Sequence, residues 1–170
     1  MENINPAPNF EAIGRNLIKQ LPHNIGQMAL SHFKGSFRKQ GFTDYSYIAW
    51  PLRKDLLTHK LMVKSNSLMN DLKVTSQTMQ RVELGTTLPY AAIHNNGGKF
   101  SILLTPKMRK FFWAMFYKTN NLKYKQMALT KKKRLPVRIP QRHFIGNSAV
   151  LNQNIDKYIT NEIIKQFNQA

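Results

Sequence analysis

The stretch PHNIGQMALSHFKGSFRKQG, residues 22–41, spaces Ile25, Met28, Ala29, Phe33 and Phe37 three or four apart. A helix with 3.6 residues per turn gathers such positions on one face. The spacing predicts a helix from Pro22 to about Lys39, roughly 25 Å long at 1.5 Å per residue, with Gly41 as its stop. Pro22 suits a first helical turn, where its missing N–H costs nothing. Upstream, Asn9 is a fitting N-cap for a shorter helix carrying Phe10, Ile13, Leu17 and Leu21 on one face. Pro22 is expected to separate the two helices, because an interior proline removes a hydrogen bond and clashes with the preceding turn. Residues 1–8, with two prolines, read as a flexible arm.

Downstream the pattern changes. FTDYSYIAWPLRKD (42–55) reads as an aromatic loop ended by Pro51. Short Val- and Leu-rich stretches predict strands near 61–64, 70–77 and 80–86, although SNSLMNDL (65–72) also fits a helical turn. NNGG at 95–98 is a turn signal in which glycine supplies positive φ. The pair Thr105-Pro106 suits an N-cap and first position for a helix through Met108 to Tyr117, and a long loop is expected beyond Thr119. IPQRHF (139–144) fits either a short strand or an extended passage. Leu151, Ile155, Tyr158, Ile159, Ile163 and Phe167 predict an amphipathic final helix over 148–167. Together these elements describe an α+β chain of 170 residues, read as a single domain (1–170) with a basic and aromatic insertion at 99–138.

Charge is concentrated. The chain has 26 Lys and Arg against 8 Asp and Glu, and no acid stands between Glu83 and Asp156. Half of the basic residues lie within 99–142. Lys107, Arg109, Lys110, Lys123, Lys125, Lys131, Lys132, Lys133 and Arg134 are the candidates for meeting an acidic partner or DNA, with a solvated, solubilising surface as the bland alternative. Among them runs the longest apolar stretch, Phe111 to Tyr117. Its Phe111, Phe112, Trp113 and Phe116 are too continuous for one amphipathic face, so the block is either buried or covered by a neighbouring subunit. Seven apolar residues fall well short of the roughly 18 needed to cross a membrane, so no membrane partner is expected. The opening MENINPAPNFE has no basic start before an apolar core, so no secretory signal is expected.

No catalytic set emerges. The eight acids are scattered, which disfavours paired-carboxylate and two-metal chemistry. With no cysteine, disulfides and thiolate metal sites are excluded. The five histidines lack zinc-ligand spacing. Ser65 and Ser67 lack a nucleophile elbow, and Lys99 after Gly97-Gly98 lacks the spacing of a phosphate loop. No cofactor, metal or catalytic residue is expected.

Four segments, in order, resemble the phage virion morphogenesis family. They are FKGSFRKQGF (33–42) with WPLRK (50–54), LMVKSNSLMNDLKV (61–74), LPYAAIHNNGG (88–98) and RIPQRHFIGNS (138–148). The resemblance implies a non-enzymatic tail-completion or neck protein that joins the filled head to the tail. It also implies an α+β fold with a small, strongly curved antiparallel sheet packed with N-terminal helices and a C-terminal helix. A ring of this chain is implied, a hexamer rather than a dodecamer. Its partners would be connector or portal-side proteins and tail-tube or tail-terminator proteins, with contact to genomic DNA. The implied place is the virion neck, and the host cytoplasm during assembly. The rival reading is a basic nucleic-acid-binding protein outside any ring.

The same resemblance singles out Phe37, Trp50, Tyr90, His94, Gly97, Pro140 and Phe144. Trp50 with Pro51 would anchor a loop on the core, with Arg53 and Lys54 at its edge. Tyr90, Ile93 and His94 would lie on a strand leading to the Gly97-Gly98 turn. Pro140 would start an extended passage, and Phe144 would plug the core. Each is expected to specify the fold, with subunit contact as the alternative.

Overall fold

The structure, a computed structural model, describes residues 9–52 and 59–168. The expected arm at 1–8, and Arg53 and Lys54, lie outside the described residues. The chain divides into two compact units, one of residues 1–96 and 141–170, the other Gly97–Pro140.

The first unit is built on α1 (Phe10–Lys39), a single helix of 30 residues. Asn9 caps it, its side chain accepting a bond from the Ala12 N–H. The expected division at Pro22 does not occur. Proline inside a helix costs about 3 kcal/mol, but Leu21, Pro22 and Gly26 are all buried, and burial along this face offsets the one lost hydrogen bond. Nor does Gly41 end the helix. Gln40 takes the left-handed position at φ 60°, and its N–H reaches the Ser36 carbonyl. The Gln40 amide also donates to the Phe37 and Leu61 carbonyls and accepts from the Leu61 N–H. Gly41 is needed for another reason: a Cβ there would collide with the Tyr47 ring and the Ile48 carbonyl.

The expected aromatic loop is a hairpin. β1 (Gly41–Thr43) pairs antiparallel with β2 (Tyr47–Ala49), Phe42 opposite Ile48. No strand forms at 61–64. There the Gln40 amide supplies the bonds a neighbouring strand would give, while Leu61, Met62 and Val63 pack on buried residues. The helical reading of the following stretch holds: α2 spans Ser67–Asp71. β3 (Lys73–Gln77) and β4 (Val82–Gly85) form a second antiparallel pair with an irregularity between Val74 and Ser76. The segment read as a strand through His94 is instead α3 (Ala91–Asn96). Its turns close through Ala91 N–H to Leu88 O and His94 N–H to Tyr90 O. α6 (Ala149–Asn168) closes the unit as expected.

Two buried clusters organise this unit. Ala29, Phe33, Phe42, Leu72 and Leu151 fill the first, between α1, α6 and the sheets. Phe37, Trp50, Leu68, Ala91 and Phe144 fill the second. Burying one such large side chain contributes about 1.5–3 kcal/mol.

The second unit is a hairpin with helices at its tip. β5 (Gly98–Leu103) pairs antiparallel with β6 (Arg134–Ile139) over their full length. Between them lie α4 (Pro106–Thr119) and α5 (Leu122–Leu129). Thr105 caps α4 with Pro106 in its first turn, as the sequence predicts. The long loop expected after Thr119 is absent. Asn120 turns left-handed at φ 51° to end α4, and Asn121 caps α5 by accepting from the Lys123 N–H. α5 escapes a sequence reading because Leu122 and Leu129 face outward, and only Tyr124, Met127 and Ala128 turn toward the unit's core.

The fold is therefore α+β with antiparallel pairing. The single, strongly curved sheet is corrected: among the described residues the strands form three separate two-stranded sheets that are not strongly curved. Two-stranded sheets leave no third strand to carry curvature around a core, and α1 packs against β1, β3 and β4 instead.

Candidate functional site

Phe37, Trp50 and Phe144 converge in the first unit. Phe37 packs against the Trp50 ring at 5.6 Å and the Phe144 ring at 5.1 Å. The Trp50 indole Nε1 donates to the His143 carbonyl at 2.6 Å. Arg142 N–H donates to the His94 carbonyl, and the Asn95 side-chain oxygen accepts from both Phe144 N–H and Ile145 N–H. Phe37 and Phe144 are fully buried, so these motifs form one structural knot. Pro51 itself is exposed.

Of the other motif residues, Tyr90 and His94 belong to the first unit, and Gly97 and Pro140 to the second. Tyr90 precedes α3 and meets the His94 ring edge-on at 5.9 Å. Gly97 follows α3 at φ 69°, a left-handed position that favours glycine. Pro140 follows β6. His94 Nδ1 is buried with no hydrogen-bond partner among the described residues. Burial, and then the nearby Arg142 charge, hold the His94 imidazole below the usual histidine range.

Sequence reasoning missed the roles of four polar residues that fix the loops. Asn95 read only as part of a turn. Asp44 accepts from the Ala149 N–H and Ser148 from the Leu151 N–H, capping α6 together. Asp71 accepts from the Thr86 hydroxyl and from the N–H and hydroxyl of Thr87, which holds its carboxyl below the usual range. Only Ser148, placed just ahead of an apolar run, carried a local capping signal.

The basic candidates all lie in the second unit, which holds twelve Lys and Arg and no acid. Lys107 and Lys110 are exposed on the first turns of α4, Lys123 and Lys125 on α5, and Lys131, Lys132 and Lys133 just ahead of β6. Lys125 Nζ sits 5.6 Å over the Phe116 ring, a cation–π contact worth about 0.5–1 kcal/mol when exposed. Arg109 is turned inward. Its guanidinium donates to the Ala128 and Thr130 carbonyls at 2.7 and 2.8 Å, closing the C-terminus of α5. Arg134 donates from Nε to the Ser101 hydroxyl and from a terminal nitrogen to the Ser101 carbonyl.

The aromatic block divides. Phe112 is buried with Leu104 and Ala128, Trp113 and Phe116 are half-buried, and Phe111 is 56% exposed. A helix turns 100° per residue, so the block spreads around α4 rather than along one face.

Among the described residues no helix is long and apolar enough to cross a membrane. No curated protein and no solved structure matches the chain. Residues 6–163 match the model of the phage virion morphogenesis family.

Proposed function

The chain belongs to the phage virion morphogenesis family, and from that membership we propose that it is a structural component of the virion neck, completing the junction between head and tail. The observation that carries this is the match across residues 6–163. The meeting of the motif segments in one buried knot supports it. The reading is non-enzymatic.

The working form is a closed ring of this chain, a hexamer rather than a dodecamer. Each subunit offers different surfaces to its two neighbours, a heterologous contact that closes by rotation. Phe111, Trp113 and Phe116, exposed or half-buried on α4, are the proposed subunit contacts. Phe112 supports the surface from within. Connector or portal-side proteins and tail-tube or tail-terminator proteins are the flanking partners, and assembly takes place in the host cytoplasm.

Light scattering on the purified chain, alone and mixed with its virion neighbours, tests the ring. A sixfold mass in either condition supports it, and a monomer in both sinks it. The acid-free second unit favours one rival, a nucleic-acid-binding protein outside any ring. That rival requires the chain to be missing from purified particles.

A further inference from the structure

We propose that the outward face of the β5–β6 ribbon is a binding surface for duplex DNA, gripping its phosphates without reading sequence.

The register defines the face. Residues opposite one another in an antiparallel pair project to the same side. Lys99 faces Arg138, Ser101 faces Pro136, and Leu103 faces Arg134. All six are exposed. The alternate positions form the apolar opposite side, where Ile102, Leu135 and Val137 are half-buried and Phe100 is exposed. The ribbon thus carries three cations on one side over roughly 14 Å, at about 3.4 Å per residue.

Two features mark this face as built for an anion. Lys99 and Arg138 stand directly opposite each other, and like charges so placed destabilise a strand pair. The Ser101 bonds draw the Arg134 guanidinium along the ribbon toward that pair, since Ser101 lies two positions nearer Lys99 than Leu103 does. The second unit contains no carboxylate to relieve this convergence.

A second copy of the chain has little to offer as counter-charge. Of the six acids in the described residues, five are engaged within the chain. Glu11 pairs with Arg15, Glu83 with Arg81 and Glu162 with Lys165. Asp44 caps α6 and Asp71 holds Thr86 and Thr87. The occupant is therefore a foreign polyanion. A two-stranded ribbon fits the major groove of B-form DNA, and cations spread over one side suit repeated phosphates. The choice of duplex DNA over an acidic protein rests on the junction reading, in which the genome passes this ring.

The test is fluorescence anisotropy of short mixed-sequence duplex DNA with the full chain, from about 50 to about 200 mM salt. The triple variant Lys99→Gln, Arg134→Gln, Arg138→Gln is expected to flatten the salt slope by about 2.7, at about 0.9 per phosphate contact. Lys99→Gln alone, a single exposed change, should flatten it by about 0.9. A control with the same net charge, Lys19→Gln, Lys64→Gln, Lys157→Gln, should keep the parental slope. Equal losses in both triple variants overturn the proposal, because net charge alone then explains binding. Polyglutamate binding as tightly as the duplex also overturns it and points to an acidic protein surface. A chain that rings and enters particles but whose DNA binding ignores the ribbon variants overturns this inference alone. A chain that binds DNA through the ribbon and never enters particles overturns only the junction reading.

Discussion

The indole N–H of Trp50 donates a 2.6 Å hydrogen bond to the backbone carbonyl of His143, 93 positions away in sequence. That bond ties the end of the β1–β2 hairpin to the segment leading into α6. Replacing Trp50 with Phe keeps an aromatic ring but leaves the carbonyl unpartnered. Such an unsatisfied group costs about 1–3 kcal/mol. Urea unfolding should show a lower midpoint by that amount with an unchanged slope.

Asn95 carries a comparable load through one oxygen, which accepts from Phe144 N–H at 2.9 Å and Ile145 N–H at 3.1 Å. Asn95→Ala strands both donors and is expected to destabilise the chain by about 2–4 kcal/mol, taking about 1–2 for each group. Asn95→Asp keeps an acceptor at the same place and should lose clearly less in the same thermal or chemical melt. Equal losses would show that the amide's other bond, to Asn96, matters more.

Arg109 was a candidate for meeting a partner, yet its guanidinium closes α5. Arg109→Gln should therefore loosen α5 by about 1.5–3 kcal/mol, the usual range for hydrogen bonds to a charged group. Hydrogen exchange on the full chain is the readout, with faster exchange of α5 amides and little change in α6. Loss of binding without faster exchange would restore Arg109 to the partner-facing set.

Stability should fall with acid in two windows. Burial is the main cause lowering the His94 and His32 imidazoles, aided by Arg142 and Lys39 respectively, while the Thr43 carbonyl opposes the effect at His32. A lowered histidine binds protons more weakly folded than unfolded. Its contribution is full above the unfolded value of 6.5 and declines as pH falls below it. Asp71 is also lowered, by its threonine bonds, so its contribution is present above 3.8 and is lost as pH falls further. Melting temperature against pH should show both declines, and His94→Gln should make the upper one shallower.

Several elements were legible because their signals are local. Asn9 and Thr105 cap the helices they precede, and the spacing from Leu151 to Phe167 writes α6 directly. Pro22 misled because local propensity counts the lost bond but not the buried face that offsets it. The strand expected at Leu61–Lys64 rests on a short apolar run, and the one through Tyr90 and His94 on the family resemblance. Gln40 replaced the strand partner at the first, and helical bonds from Leu88 and Tyr90 took the second. Sequence located the basic segment of the candidate site, but it singled out Arg109 without its inward role and passed over Lys99 and Arg138.

By itself, then, the sequence determined the N-caps Asn9 and Thr105, the run of α6, the core residue Phe37, and the concentration of charge in one acid-free stretch. Those properties depend on composition and on neighbours within a few positions. The tertiary structure alone decided that Trp50, Asn95 and the 142–145 segment share one knot. It alone placed Lys99, Arg134 and Arg138 on one side of a ribbon. Strand register and long-range hydrogen bonds join residues tens of positions apart, and no local spacing specifies which of them will meet.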